Sequence, residues 1–490
     1  MDNRYKSKRI TGIWGDRHRL GLCQKTELAA IAAMVALGQI KEEVYESISN
    51  VWKRIPIDLS WWKKRDKEIH HDLNAFLDER IRHLEKWLHE FVHKKLTSFD
   101  TQEPAFARML MESLGVVETL YNYVEEALIG LAVKYRYTIM NARTHGQEAE
   151  LQTFGARVLT WLKQLRVAYG ELQKAKENLK YSKLSGAIGK YGSIDPALEK
   201  EALKLLGFEP FYGATQIMPR VVYAPVAQAL SNILAVLNNI ALDIRLNARS
   251  GRPLMQEPFK KKQKGSSAMP HKKNPIRLEQ IEGMARMASS YRDMILQNIR
   301  TWEERAIEQS CVERVAWPDL FHVTAHSLKV MAYCLGGLKV YPDNMLQEIY
   351  ESRGAYASSE VKEFLKEHFV RLGLDYEDAY RTVQLACFNV FEPSVDRQKI
   401  REYSYSSLSK SGYMLFSVFP SIISEDEVVS IREFIPQASL RVSDELDIGA
   451  SQVAQYNEVL KKIFSGKEVL ARWNQLFIPE FLLRHEEFLY

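Results

Sequence analysis

From Leu110 onward the apolar positions fall at Leu110, Leu114, Val117, Tyr121, Val124, Leu128, Leu131 and Tyr135, alternately four and three residues apart. A 3.5-residue period held for more than three heptads predicts one long helix with a single buried seam. A second run, Val158, Leu162, Leu165, Tyr169, Leu172 and Leu179, is broken only by Lys176, and a third reads Leu230, Leu234, Leu237, Ala241 and Ile244. Helices of about 25 to 30 residues at 1.5 Å per residue span roughly 40 Å, and rods of that length need parallel neighbours to cover their seams. Runs of alternating β-branched residues between turn dipeptides are missing, so an all-α fold built on a central bundle of long helices is expected.

The pattern differs at both ends of the chain. The first hundred residues carry shorter amphipathic pieces, including Trp61-Trp62 and the stretch from His70 to Arg80, and beyond Gly354 short helices are separated by Gly373, Pro393 and Pro420. These changes divide the chain into an N-terminal helical domain (1–104), a central long-helix bundle (105–355) and a C-terminal helical domain (356–490).

Composition narrows the function classes. The 490 residues, 46% apolar and 26% charged, are enough for several domains and exclude a disordered or low-complexity chain. The net charge of +5 is the small difference between 67 basic and 62 acidic residues, too thin a surplus for a nucleic-acid partner. Cys23, Cys311, Cys334 and Cys387 lie far apart without metal-ligand or disulfide spacing, which points to a reducing cytoplasm. The charged N-terminus holds no apolar run of signal-peptide length, and the most apolar stretch, Ala227 to Leu246, is interrupted by Asn232, Asn238, Asn239 and Asp243. A soluble protein without a membrane partner is expected.

The most unusual segment is Phe259 to Pro275, where six lysines surround Gly265-Ser266-Ser267 and two prolines forbid a regular helix. As a charge run alone it would be a solvated basic loop. The order of residues argues for more, because a Gly-Ser-Ser turn offers hydroxyls and open backbone N–H groups while Lys272 and Asn274 can hold carboxylate oxygens. That is an anion grip with a hydroxyl beside it.

The sequence from Gly265 to Pro275, GSSAMPHKKNP, closely resembles the signature loop of the fumarase/aspartase superfamily, GSSxMPxKxNP. Within the superfamily the chain is most similar to the adenylosuccinate lyase family. Thr144-His145-Gly146-Gln147 with Phe154-Gly155 resembles its Thr-His segment, and Ser185 to Gly189 its Ser-Gly-Ala-Val-Gly loop; both are expected at loop-to-helix junctions. His71-Asp72, Thr97-Ser98 with His93 four residues before it, Glu304-Arg305 with Ser310 and Glu313-Arg314, and Arg4-Tyr5 match further pieces, as does the segment from Glu377 to Gln384. Departures occur too. Only Arg220 remains of an expected Arg-Asp-Arg-His, being followed by Val221, Val222 and Tyr223; Lys95 stands where glycine is expected, and Glu103-Pro104 where Asp-Thr is expected.

The resemblance implies a tetramer with shared active sites that releases fumarate from adenylosuccinate and from the related succinylated carboxamide ribotide. Elimination needs a base for a carbon-bound proton, stabilisation of the carbanion, and an acid for the leaving nitrogen. The family correspondence assigns Ser266 as base, with Ser267 its nearest rival, and His145 as acid with Thr144 beside it on the substrate. His71 would orient the acid or the nucleotide through Glu279. Lys272 and Asn274 would grip the succinyl carboxylates, helped by Thr97, Ser98 and Gln216. His93, Arg4, Tyr5, Arg305, Ser310 and Arg314 fall to the nucleotide end, where guanidinium forks suit a phosphate. Neither metal nor cofactor is expected. The rivals are another superfamily lyase, such as a 3-carboxymuconate cycloisomerase, and a non-catalytic structural member.

Overall fold

A computed structural model describes residues 1–391, 407–408, 414–415, 430–443 and 445–490. Pro393 and Pro420 lie outside the described residues. Helices dominate: α1 (Lys8–Ile13), α2 (Asp16–Ala36), α3 (Glu42–Arg54), α4 (Leu59–Ile69), α5 (Asp72–Ile81), α6 (Ser98–Lys134), α7 (Phe154–Glu177), α8 (Pro196–Leu206), α9 (Ala224–Asn247), α10 (Ile276–Gln297) and α11 (Glu308–Gly336) are followed by α12 (Pro342–Glu351), α13 (Ser358–Arg371) and α14 (Tyr376–Phe391). Further helices, including Ala450–Ile463 and Lys467–Gln475, complete the C-terminal part. The fold is all-α, as the periodicity predicts.

All three predicted seams are buried. In α6 the positions from Leu110 to Leu131 face the interior, and in α9 Leu230, Leu234, Leu237, Ala241 and Ile244 are fully covered. Tyr169 of α7 is only half-buried, yet its ring stacks flat on Tyr121 of α6 with centroids 3.7 Å apart. Gln173 and Lys176 of α7 both reach Glu118 of α6, at 3.1 and 2.7 Å. The lysine that breaks the α7 seam therefore pairs with the neighbouring rod. The stretch Arg220–Asn247 is long and apolar enough to cross a membrane by length and composition, but its seam is spent on the core. With 37 residues, α6 is about 55 Å long.

The chain divides into two compact units. The first comprises 1–126, 163–243 and 259–337; the second comprises 127–162, 244–258 and 338–490. In the first, Leu20, Ile48, Trp52, Phe76 and their neighbours from α2 to α5 form an apolar cluster, while α10 and α11 pack against each other over their length. In the second, Val361, Phe364, Tyr356, Tyr456 and Trp473 centre a cluster that also takes in Ile139 and Leu151.

Those last two residues belong to a β-hairpin, β1 (Ile139–Thr144) paired antiparallel with β2 (Gln147–Thr153). Here the structure corrects the sequence reading. Thr144-His145-Gly146-Gln147 is the tip of a two-residue hairpin turn rather than a loop-to-helix junction; only Phe154, where β2 runs directly into α7, lies at such a junction. His145 and Gly146 both have positive φ, 54° and 80°, the conformation a tight I′-type turn demands. Gly146 meets that demand without strain.

Candidate active site

A cavity of about 720 Å³ opens in the first unit. One wall is a ridge of α11, where Ser310, Arg314, Pro318 and His322 recur every four residues and so share a face. The α4–α5 turn contributes His71 and Asp72, the start of α6 Ser98 and Glu103, and the segment before α11 Arg305. Five residues expected from the sequence thus meet in one space: His71, Ser98, Arg305, Ser310 and Arg314.

His71, Arg305 and Arg314 are held by identifiable partners. His71 is the N-cap of α5, its Nδ1 accepting the Asn74 N–H at 3.2 Å, so its ring proton must sit on Nε2. Asp72 Oδ2 accepts from Arg314 at 2.8 Å and from Arg19 at 3.3 Å. Burial raises the Asp72 carboxyl, but the two guanidinium groups outweigh it and leave it below the usual carboxylate range. The carboxylate therefore stays ionised and anchors Arg314, which is otherwise 61% exposed. Arg305 lies over the Phe99 ring at 4.3 Å and donates to Gln216 Oε1 at 3.0 Å, while its buried Nε has no partner among the described residues. Burial, and then the charge of Arg220, push this guanidinium below its ordinary value. Such a group gains more from an anion than a solvated one does.

Gln216, expected at the succinyl end, spends its amide as a brace: it accepts from Arg305 and donates to Ala187 O at 3.1 Å. It thereby ties the Ser185–Gly189 segment to the arginine. Beneath that segment lies a wholly buried pair that the sequence does not announce, Lys183 Nζ to Asp100 Oδ1 at 2.7 Å. Lys183 also donates to Gly186 O and Gln216 O, and Asp100 accepts from the Gly186 and Thr97 N–H groups. Arg19 is another cavity residue that no motif signalled.

Two of the departures from the family pattern, Glu103 and Tyr223, meet around Arg220. Arg220 is buried and bonded to Glu313 at 2.7 and 3.0 Å, to Glu103 at 2.6 Å and to Met218 O at 2.7 Å, while Tyr223 donates to Glu103 at 3.1 Å. Glu103 and Tyr223, both unexpected types, are thus partners in one network. Burial lifts the Glu313 carboxyl above its usual range against the pull of Arg220. Lys95 adopts φ 66°, a left-handed conformation that glycine would take without cost, and its carbonyl accepts from Ser193.

Other expected residues lie outside this cavity's lining. His93 donates its backbone N–H to Glu27 and pairs through Nδ1 with the same carboxylate at 2.8 Å; burial disfavours its charged ring, but Glu27 prevails and raises its pKa. Arg4 and Tyr5 form a short 3₁₀ turn, with Tyr5 edge-on to His326. In the signature loop Ser266 Oγ accepts the Met269 N–H at 3.1 Å, and Asn274 Nδ2 donates to Gly265 O at 2.9 Å. The asparagine expected to grip substrate therefore also closes the loop. A Cβ at Gly265 would come 1.8 Å from Lys272 O, so only glycine fits there. Ser266 is half-buried, Ser267 and Lys272 are exposed, and Glu279 occupies the first turn of α10. Thr144 and His145 stand exposed on the hairpin of the second unit.

Comparisons with known proteins identify the family. Residues 4–289 match the lyase family. The chain is 35% identical over 384 residues to adenylosuccinate lyase from Synechocystis, covering 78% of this chain and 87% of that one, and 34% identical to adenylosuccinate lyase from Thermotoga maritima with the same coverage. Among solved structures, a fumarate lyase from a Mesorhizobium species superposes with a TM-score of 0.73 at 19% identity, covering 97% of this chain and 99% of that chain. A β-carboxy-cis,cis-muconate cycloisomerase from Acinetobacter calcoaceticus gives 0.70 at 18% identity, covering 96% and 97%. These structural likenesses speak for the fold. Taken with the signature loop and the relatives' identity, they place the chain in the lyase family of the fumarase/aspartase superfamily, on its adenylosuccinate lyase branch.

Proposed function

We propose that the protein is a carbon–nitrogen lyase that cleaves adenylosuccinate to AMP and fumarate, and likewise releases fumarate from the succinylated aminoimidazole carboxamide ribotide of purine biosynthesis. The observation that carries this reading is the cavity itself, which gathers His71, Ser98, Arg305, Ser310 and Arg314 from four separate stretches of chain. Arg305 and Arg314, with Ser310 beside them, suit a phosphate, because guanidinium groups supply several donors and Arg305 is poorly solvated. The Ser310 hydroxyl, which donates to Ile307 O at 2.9 Å, would turn to the ligand when one binds.

In the reaction, Ser266 as alkoxide removes a proton from the succinyl carbon next to a carboxylate. That electron pair forms the fumarate double bond as the C–N bond breaks, and His145 gives its proton to the departing nitrogen. The Met269 N–H on Ser266 Oγ favours the alkoxide, as does positive charge on Lys272. Lys272 and Asn274 take the succinyl carboxylates, with Thr97, Ser98 and Thr144 completing that end. His71 presents its Nε2–H to the substrate or, with Glu279, orients the acid. His93, Arg4 and Tyr5 support the nucleotide end. Exposed apolar residues on the long helices, among them Ile129 and Val133 of α6, Val167 of α7 and Leu242 of α9, support assembly into a cytoplasmic homotetramer.

Purified protein incubated with adenylosuccinate, and separately with 3-carboxy-cis,cis-muconate, tests the reading. Fumarate from the first and no lactone from the second is expected. Turnover of the muconate alone would overturn it.

A further inference from the structure

The hairpin that carries His145 is secured along its length within the second unit. At its base the Thr153 N–H donates to Glu486 Oε1 at 2.7 Å, and midway Asn141 Nδ2 reaches Glu348 O at 3.3 Å while Ser359 donates to Glu150 at 2.6 Å. The tip is different. The His145 ring is exposed and makes no hydrogen bond among the described residues, so its position depends on the turn backbone. One side chain holds that turn. Arg143 donates to Gly146 O at 3.3 Å, to Glu148 across the strands at 3.2 Å, and to the Glu348 carboxylate of α12. A register shift between Asn141 and Arg143 lies just before this clamp, and such bulges re-aim the residues beyond them.

We infer that Arg143 is a positioning residue for the elimination: by bonding the carbonyl next to His145 and bridging the hairpin to α12, it sets where the imidazole stands. This rests on the assignment of His145 as the acid. A two-residue turn with both φ values positive is itself costly for a histidine, and a planar guanidinium that meets three acceptors offsets that cost in one geometry. Lysine keeps the charge but not the fork, so Arg143→Lys should recover only part of the effect. Substrate affinity should be largely untouched, because the histidine acts on the leaving nitrogen as the bond breaks.

The test compares wild type, Arg143→Ala, Arg143→Lys, Glu348→Gln, His145→Ala and the Arg143→Ala/His145→Ala pair by kcat and KM, with circular dichroism and thermal melting as controls for folding. A misplaced acid of this kind costs up to about 10²-fold in turnover. Expected is a kcat loss of that order in Arg143→Ala with KM within about twofold, a smaller loss in Arg143→Lys and Glu348→Gln, and no further loss when Arg143→Ala is added to His145→Ala. Should Arg143→Ala fail to fold, Arg143→Lys and Glu348→Gln carry the same comparison. Wild-type kcat in the folded variants, or an equal additional loss in the His145→Ala background, overturns the positioning role alone. Full turnover in His145→Ala overturns the acid assignment and the positioning role with it.

Discussion

At the scale of single residues, motif and role separate cleanly. The loop around Ser266 stands out by residue types alone, whereas the set Arg305, Ser310 and Arg314 is an expectation from the family resemblance; the structure brings those three to one cavity. The work of Gln216 is not legible in the sequence, since an amide suits a ligand carboxylate and a backbone carbonyl equally, and only the three-dimensional arrangement shows it bracing Arg305 against Ala187. Two arginine variants examine the nucleotide end. A phosphate contact is made equally in ground and transition states, so Arg305→Ala and Arg314→Ala should raise KM for adenylosuccinate at least about tenfold with little change in kcat. An unchanged KM in both removes them from the site. His93 gives a stability prediction instead. Its raised pKa means that folding binds its proton more tightly, so the pair with Glu27 stabilises the protein fully below the unfolded value of about 6.5 and that benefit is lost as pH rises through the higher folded value. The melting temperature of His93→Asn should therefore trail wild type more at about pH 6 than at about pH 8.5. A gap that widens with pH would contradict the sign.

Among the elements, the long helices are readable in the sequence and the hairpin is not. Heptad seams in α6, α7 and α9 report burial directly, since a 3.5-residue apolar period lines up one side of a helix that a neighbour must cover. The strands of the hairpin hide because their alternation is short and weakly apolar. Glu148, Glu150 and Gln152 alternate with Ala149, Leu151 and Thr153, of which only Leu151 is a large apolar residue. The first strand places Asn141 among its buried positions, and near the tip both faces are exposed. The signal that could have found them is the His145-Gly146 pair, a two-residue turn flanked by Met140 and Leu151. The signature loop yields the prediction at this scale. With Lys272 O only 1.8 Å from a would-be Cβ at position 265, Gly265→Ala must push the loop apart. Activity should fall by about 10²-fold while the melting temperature changes little, because the loop is largely exposed and outside the apolar clusters. A normal kcat in that variant would show that the closed loop is dispensable.

For the whole molecule, each compact unit is assembled from three separated segments, and periodicity along the chain cannot say which segments gather. Family resemblance supplies the expectation of shared sites. If the tetramer draws His145 and Ser266 of one site from different chains, then inactive His145→Ala and Ser266→Ala proteins, denatured and refolded together, regain activity; random mixing leaves roughly a quarter of sites fully wild type. Hybrids that form and stay inactive place both residues on one chain. The most direct measurement of the central claim is the product balance. Adenylosuccinate is supplied to purified wild-type protein and to Ser266→Ala, and fumarate and AMP are quantified by nuclear magnetic resonance as the substrate disappears. One fumarate and one AMP per substrate consumed by wild type, with turnover at least about 10²-fold slower in Ser266→Ala, is the predicted result. Intact adenylosuccinate in the wild-type sample, or equal product from both proteins, would contradict it.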